Sequence, residues 1–340
     1  MKIFMKNNLA MEKESGVALI IILWMMVLLI VMTLAFSVMV RTETFSTITF
    51  KEQQENKYLA EAGLQKAMLE IIYRNANKNN VQKHDETDVY PTDGTFRQGK
   101  LDDGLYSIGI TDESGKININ LLTDVSGIIL NNLLVNLGVE KSRADTIVDS
   151  ILDWKDADDL HRLNGAESDY YMSLPNPYKA KDGNFDNLEE LLLVKGMTRD
   201  ILYGTGEKPG LINFLTVYTS TAQININAAK PEVLKAIPSM TDDMVQTILN
   251  YRTSDNGKKD GSGLQTMLSA GYAQIASYVT IAGSNVYSVE VIGYKQENMG
   301  HYPIRAVLVV EGANSCRIVS YQSPAHVELP KNDKIQNHAQ

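Results

Sequence analysis

Only one cysteine, Cys316, occurs in the 340 residues, so no disulfide can close within the chain, and an oxidising compartment is neither required nor excluded. Basic residues are in the minority, 32 Lys and Arg against 41 Asp and Glu. The resulting net charge of −9 argues against a nucleic-acid partner, which needs a basic face. Histidines are few and scattered (His84, His161, His301, His326, His338), with no HExxH or C-x-x-C pairing. Gly204–Gly210 looks superficially like a phosphate loop but lacks its Gly-Lys-Ser/Thr ending and its spacing, and reads as a turn-rich connector. No residue stands out as a catalytic base or nucleophile, so the chain reads as a non-enzyme. One long stretch, Val17–Val40, lacks charge altogether.

That uncharged run is the most informative feature. At 1.5 Å per residue its roughly 24 positions make a helix of about 36 Å, enough to cross a hydrocarbon core of ~30 Å. Lys2, Lys6 and Lys13 precede it, and a mixed stretch with Arg41 and Glu43 follows, which suits a membrane anchor. A secretory signal has a shorter apolar core followed by a small-residue cleavage site. Here the run is too long, and the small residue, Gly16, lies before it. The helical pattern continues beyond the run to about Ala76. Phe45–Lys57 is mostly polar, expected to be exposed or to face other subunits. From Ala60 onward, Ala60, Leu64, Ala67 and Ile71 form one apolar stripe, with Met68 and Ile72 beside it. Asn75–Asn80 reads as the helix end.

Strand patterns occupy both sides of a helical middle. Tyr106, Ile108 and Ile110 alternate with small or polar residues, Asp112–Gly115 forms a turn, and Ile117 and Ile119 resume the alternation. Far downstream, Tyr287–Tyr294, Arg305–Glu311 and Ser315–Tyr321 read as three antiparallel strands, with Gly312-Ala313-Asn314 as a hairpin. In between, Ile117-Asn118-Ile119-Asn120 recurs as Ile224-Asn225-Ile226-Asn227, each followed by a helical segment. Ala229–Arg252 and Glu189–Leu202 read as helix-hairpin-helix units. The hairpin Pro238-Ser239-Met240-Thr241 has no glycine to offer backbone N–H groups to phosphate, and Asp242 and Asp243 would repel one. These units therefore read as packing or protein-interaction modules.

The sharpest chemical cluster is Asp153-Trp154-Lys155-Asp156-Ala157-Asp158-Asp159, followed by Asn164-Gly165-Ala166-Glu167 and by Asp169-Tyr170-Tyr171. Hard oxygen donors packed this closely, with a turn-forming Asn-Gly, suit Ca²⁺. The spacing does not match an EF-hand. A solvated acidic loop with helix caps is the alternative, and residue type alone leaves both open.

The Gly16-Val17 junction and the motif Leu59-Ala60-Glu61-Ala62-Gly63-Leu64 resemble type IV pilin-like proteins, which a prepilin peptidase cuts just after such a glycine. Most pilins carry Glu at the fifth residue after the cut, and here that position is Ile21. A buried carboxylate in a helical bundle is costly unless a cation meets it. In the family that cation is the N-terminal amine of the subunit already assembled above. A subunit without the Glu loses nothing only if no subunit sits above it. The apolar Ile21, the large insertion and the DW-x-D-x-D…NGAE-x-x-YY pattern together resemble, from end to end, the K-type minor pseudopilins of type II secretion.

The resemblance implies an α+β fold: a pilin-like long N-terminal α-helix packed on an antiparallel β-sheet, with a large inserted α-helical domain. It divides the chain into a leader (1–16), a transmembrane part of the helix (17–40), a discontinuous pilin-like domain (41–120 and 276–330), the insertion (121–275) and a polar tail (331–340). It implies processing at Gly16 and Val17, with methylation of the new N-terminus. Calcium would be bound from among Asp153, Asp156, Asp158, Asp159, Glu167 and Asp169. The implied partners are the I- and J-type minor pseudopilins, the major pseudopilin, the prepilin peptidase and the inner-membrane assembly platform. The implied location is the inner membrane, with the soluble part in the periplasm and, after assembly, at the pseudopilus tip, where the subunit starts filament growth. Alternative readings are a minor type IV pilin of the X type, and an unprocessed single-pass binding protein or metal-dependent enzyme.

Overall fold

The computed structural model describes residues 12–77, 90–253, 262–295, 300–312, 315–325 and 327. Helix α1 spans Glu12–Ala76, 65 residues without interruption. From Gly16 to Lys51 every residue is exposed. An α-helix satisfies its own backbone hydrogen bonds, so this half needs no partner to remain helical. Polar side chains within it do the same: the Thr33 hydroxyl donates to the Leu29 carbonyl at 2.5 Å. From Asn56 onward one stripe turns inward, and Ala60, Leu64, Ala67 and Ile71 are all buried, the stripe read from the sequence. The helix ends where Asn77 bonds back to the Tyr73 carbonyl.

Strands β1 (Asp93–Leu101) and β2 (Gly104–Asp112) follow as a hairpin whose turn places Asp102 at φ 51°. The sequence reading misses β1. Only Phe96 and Leu101 are large and apolar there, and an edge strand with half-exposed faces shows no alternation. The central stretch then runs β3 (Ile117–Asn118), α2 (Gly127–Asn136), α3 (Lys141–Lys155), α4 (Ser168–Met172), α5 (Arg199–Tyr203), β4 (Leu215–Thr216), β5 (Ile224–Asn225), α6 (Pro231–Ala236), α7 (Asp242–Thr253), α8 (Ser262–Ile275) and β6 (Val279–Thr280). Strands β7 (Val286–Tyr294), β8 (His301–Glu311) and β9 (Ser315–Gln322) close the fold. The Gly312 end of the last hairpin is described, with φ 71°, whereas Ala313, Asn314 and the tail 331–340 lie outside the described residues.

One antiparallel five-stranded sheet, in the order β1-β2-β7-β8-β9, joins strands from both sides of the central stretch. Strands β2 and β7 pair directly, Asp112 opposite Tyr287, so the chain leaves and re-enters the sheet at neighbouring points. Helix α1 lies across this sheet, and its stripe packs with Ile108, Ile110, Val289, Val291, Ile304 and Leu308. The fold is thus α+β, a long N-terminal helix on an antiparallel sheet, as expected. A second and separate apolar core, with members from Ile117 to Val279, lies within the central stretch.

The sequence echo marks a structural repeat. Strand β3 pairs in parallel with β4, and β5 pairs in parallel with β6. In each copy the first Asn stops the strand by accepting a backbone N–H two residues on, Asn120 to Asn118 and Asn227 to Asn225, both at 2.9 Å. This corrects the expectation that Ile117 and Ile119 continue one strand: Ile119 already begins a 3₁₀ turn. In each copy a basic residue at the end of the second helix then caps freed carbonyls. Lys155 reaches those of Ile119, Asn120 and Leu122, and Arg252 those of Ile226 and Ala229. The expected helix-hairpin-helix units are α6–α7, turning at Ser239 (φ 65°), and a short 3₁₀–α5 pair turning at Gly196 (φ 86°).

Helix and sheet meet through glycines. A Cβ on Gly63 would fall 2.6 Å from Val291 Cγ1, and one on Gly293 would collide with the Asn56 carbonyl oxygen and the Ala60 nitrogen. Gly293→Ala is therefore expected to destabilise the chain by about 1–3 kcal/mol, because helix backbone cannot step aside as a side chain does. Gly300→Ala, where a Cβ meets nothing within 4 Å, serves as the matched control. Denaturant midpoints of the detergent-solubilised chain decide, and equal midpoints would refute the close-contact argument.

Candidate functional site

The acidic segment forms at the end of α3. Asp153 lies on the inward face of the last turn, with its side chain fully buried. Asp156 follows as the residue capping the helix C-terminus, in extended conformation (φ −79°, ψ 173°). The chain then loops out through Leu160 and Leu163, which are 76% and 95% exposed, and returns through Asn164-Gly165. Asp149 fixes the return by accepting from the backbone and side-chain nitrogens of Asn164, both at 3.0 Å. Gly165 is required here, since a Cβ would overlap the Asp153 carboxylate. Glu167, at the start of α4, completes the group and is only 1% exposed.

Carboxylate oxygens of Asp153, Asp156 and Glu167 lie within 4.8 Å of one another. Both oxygens of Glu167 and Oδ1 of Asp156 are buried without a hydrogen-bond partner. Buried acceptors are ordinarily satisfied, so these three orphans are oxygens that a cation would satisfy. A single guanidinium offsets the charge: Arg162 Nη1 donates to Asp153 Oδ1 at 2.7 Å and to Asp156 Oδ2 at 2.6 Å. Its Nε donates to Asp124 Oδ1 at 2.8 Å. Next to Asp153 in the chain, Trp154 packs into the core edge-on to Tyr171 at 5.1 Å and stacked on Phe185 at 6.4 Å.

Burial and mutual repulsion show in the ionisation. Glu167 is raised to about 7, first by loss of water and then by the charges of Asp153 and Asp156. Burial also raises Asp153, against the opposing pull of Arg162. Lys155 is lowered to about 8, mainly by burial and further by Arg162. Burial acts to lower Arg162 as well, but its hydrogen bonds to Asp124, Asp156 and Asp153 outweigh this and hold it charged.

Of the six carboxylates singled out in the sequence, the fold brings Asp153, Asp156 and Glu167 together. Asp158 accepts from the Leu160 backbone at 2.9 Å, Asp159 is exposed, and Asp169 is 74% exposed and pairs with His161 at 3.0 Å. The latter three point away because the turn after Asp156 leaves the core, whereas Glu167 comes back into it. Sequence reasoning missed Arg162, six residues beyond Asp156, for which no metal-ligand pattern gives a signal. The donor set of three oxygen ligands, without nitrogen or sulfur, fits a hard divalent cation such as Ca²⁺, which completes its shell with carbonyls and water.

The N-terminal positions are arranged more simply. Gly16 and Val17 lie within α1, which begins at Glu12, and nothing approaches within 4 Å of where a Gly16 Cβ would sit. Ile21 is 55% exposed among equally exposed apolar neighbours. The helix is long and apolar enough to cross a membrane.

Comparison with known proteins gives concordant results. A family model described as type II secretion system (T2SS), protein K, matches residues 115–203, the stretch holding the acidic cluster. Type II secretion system protein K of Pectobacterium carotovorum subsp. carotovorum is 26% identical over 203 residues, 56% of this chain and 60% of the relative. That of Klebsiella pneumoniae is 26% identical over 234 residues, 65% of this chain and 68% of the relative. That of Pseudomonas aeruginosa is 28% identical over 161 residues, 45% of this chain and 46% of the relative. The similarity thus spans about 60% of the length of the first of these relatives. Among solved structures, the fold is similar to a chain in the crystal structure of the GspK-GspI-GspJ complex of enterotoxigenic Escherichia coli. The TM-score is 0.60 at 18% identity, with 83% of this chain and 100% of that chain covered.

The ionisation of Glu167 carries a signed expectation for the metal-free chain. Its folded-state pKa of about 7 exceeds the ordinary 4.5, so the folded chain holds a proton that the unfolded chain releases. Stability therefore falls as pH rises from about 4.5 to 7, by on the order of 3 kcal/mol, and levels off above. Glu167→Gln, neutral throughout, is expected to flatten this component, so that its melting temperature overtakes the wild type's by pH 7.5. Parallel melting curves from pH 5 to 7.5 would contradict the assignment.

Proposed function

We infer, for a chain that belongs to the type II secretion system protein K family, that it is a minor pseudopilin standing at the tip of a periplasmic pseudopilus. The observation that carries this reading is α1: one uninterrupted helix, bare and apolar at its front, locked to a sheet at its rear, with Ile21 in place of an acid. Before assembly the apolar half holds the subunit in the inner membrane, with the rest in the periplasm. A prepilin peptidase removes residues 1–16, and Val17 becomes the N-terminus. In a helical bundle the apolar face then packs against other subunits' helices.

A carboxylate at position 21 would serve to pair with the amine of a subunit above. Isoleucine makes no such demand, so the subunit begins the filament and does not extend one. The central stretch acts in the same direction by size, since a second core of this extent could hardly repeat along a thin fibre. I- and J-type minor pseudopilins complete the tip complex, growth continues with the major pseudopilin through the inner-membrane assembly platform, and the role is structural, not catalytic. The cluster of Asp153, Asp156 and Glu167 holds Ca²⁺, which neutralises buried acceptors and ties the loop after α3 to the start of α4.

Mass spectrometry of the membrane-extracted protein is expected to show an N-terminus at Val17 with the prepilin peptidase present, and at Met1 without it. Met1 in both samples would end the pseudopilin reading. Crosslinking in sheared pseudopili is expected at fibre ends, and uniform labelling would exclude the tip position. For the metal, chelation is expected to lower the melting temperature by several degrees, restored by added calcium. No change on chelation, together with no calcium by elemental analysis, would reject the site.

A further inference from the structure

Arg162 joins the inside of the acidic cluster to its outside. One guanidinium nitrogen lies between the buried Asp153 and half-buried Asp156 carboxylates, while Nε is held by Asp124, itself 75% exposed. The loop that carries Arg162 presents Leu160 and Leu163 to solvent, so its tip is held by little apolar packing. Glu167 faces the same place with both oxygens unpartnered, although it is almost fully buried. The guanidinium meets two of the three carboxylates and leaves Asp156 Oδ1 and both Glu167 oxygens without a donor.

From this geometry we propose that Arg162 is a built-in competitor for the cation site. Its guanidinium closes the cluster when no metal is bound, and it withdraws onto Asp124 when a divalent ion takes Asp153, Asp156 and Glu167. The inference rests on the reading of this cluster as a calcium site. Two cationic centres cannot share so small and so poorly solvated a space without strong repulsion. Arginine suits the exchange: its fork holds a buried carboxylate and a surface carboxylate together, so release from one need not free it from the other. Apparent metal affinity is then lowered by the stability of the closed form, as for any site that must first open.

The test is a titration of the detergent-solubilised full chain with calcium chloride at 0.15 M salt, followed calorimetrically and by Trp154 fluorescence. Arg162→Gln is expected to bind calcium at least about tenfold more tightly, because the charge-assisted contacts to Asp153 and Asp156 no longer have to be broken. It is also expected to melt at a lower temperature than wild type when calcium is absent. Lys181→Gln, which removes a surface cation paired with Asp186 and Glu190, is expected to leave affinity within about twofold, since exposed charges are screened at this salt. Equal or weaker binding by Arg162→Gln would overturn the competition while leaving the calcium site in place. A Lys181→Gln effect as large as that of Arg162→Gln would also overturn it. Absence of calcium binding in every variant would remove the site and the inference together.

Discussion

A helix that closes its own hydrogen bonds can pass from one solvent into another without leaving a backbone group unpaired, and the architecture depends on this. Helix α1 uses that freedom over its whole length. Its front offers side chains suited to lipid or to other helices, and its rear offers a narrow stripe to the sheet. The stripe works only because the two backbones come close. Small residues on the helix (Ala60, Gly63, Ala67) face small or slender ones on the sheet, Gly293 above all. Close approach lets a single row of side chains hold a helix that projects far beyond its support.

The central stretch is attached to this platform at a stiff point. Asp112, at the end of β2, accepts from the Ser114 backbone and hydroxyl and from the Ser284 hydroxyl, and so ties the exit of the stretch to its return. Gly115 lies against the backbone of Ala228 and Ala229, and Asn225 donates to the Ser114 hydroxyl. Two apolar cores are therefore linked by a short polar junction whose groups are satisfied locally. Such a junction transmits orientation: a unit fixed to the sheet here is also fixed relative to α1.

Periodicity made the helix, its buried stripe and strands β2, β7 and β8 legible in the sequence, because each has one face in a core, and β9 was legible from the turn before it although none of its residues is buried. Strand β1 was not, since only Phe96 and Leu101 in it are large and apolar. The repeated Ile-Asn-Ile-Asn was legible as an echo, and its meaning came from the fold: the asparagine that looks like part of a strand ends it. The acidic segment was legible as composition. Choosing among its carboxylates needed the path of the loop, which buries Glu167 and turns Asp158 and Asp169 outward. Arg162 carried no signal at all, because a counter-ion is defined by where it ends up and not by spacing.

Comparing the two copies of the repeat suggests why the cluster sits in one and not the other. Both close with a short parallel pair, β3 with β4 and β5 with β6, and both are capped by a basic side chain. In the second copy the chain between α7 and β6 is occupied by α8, whose Leu264, Leu268 and Ile275 join the core. In the first copy the chain between α3 and β4 is longer and forms only the short α4 and α5 and brief 3₁₀ turns. Most of that connection packs into the core through residues such as Tyr171, Phe185, Leu191 and Phe214, but residues 157–163 bury no side chain and have little to set against their conformational entropy. Asp153, Asp156 and Glu167 stand at both ends of the loosest part of that connection. A cation held among them would do electrostatically for the first copy what α8 does by packing for the second.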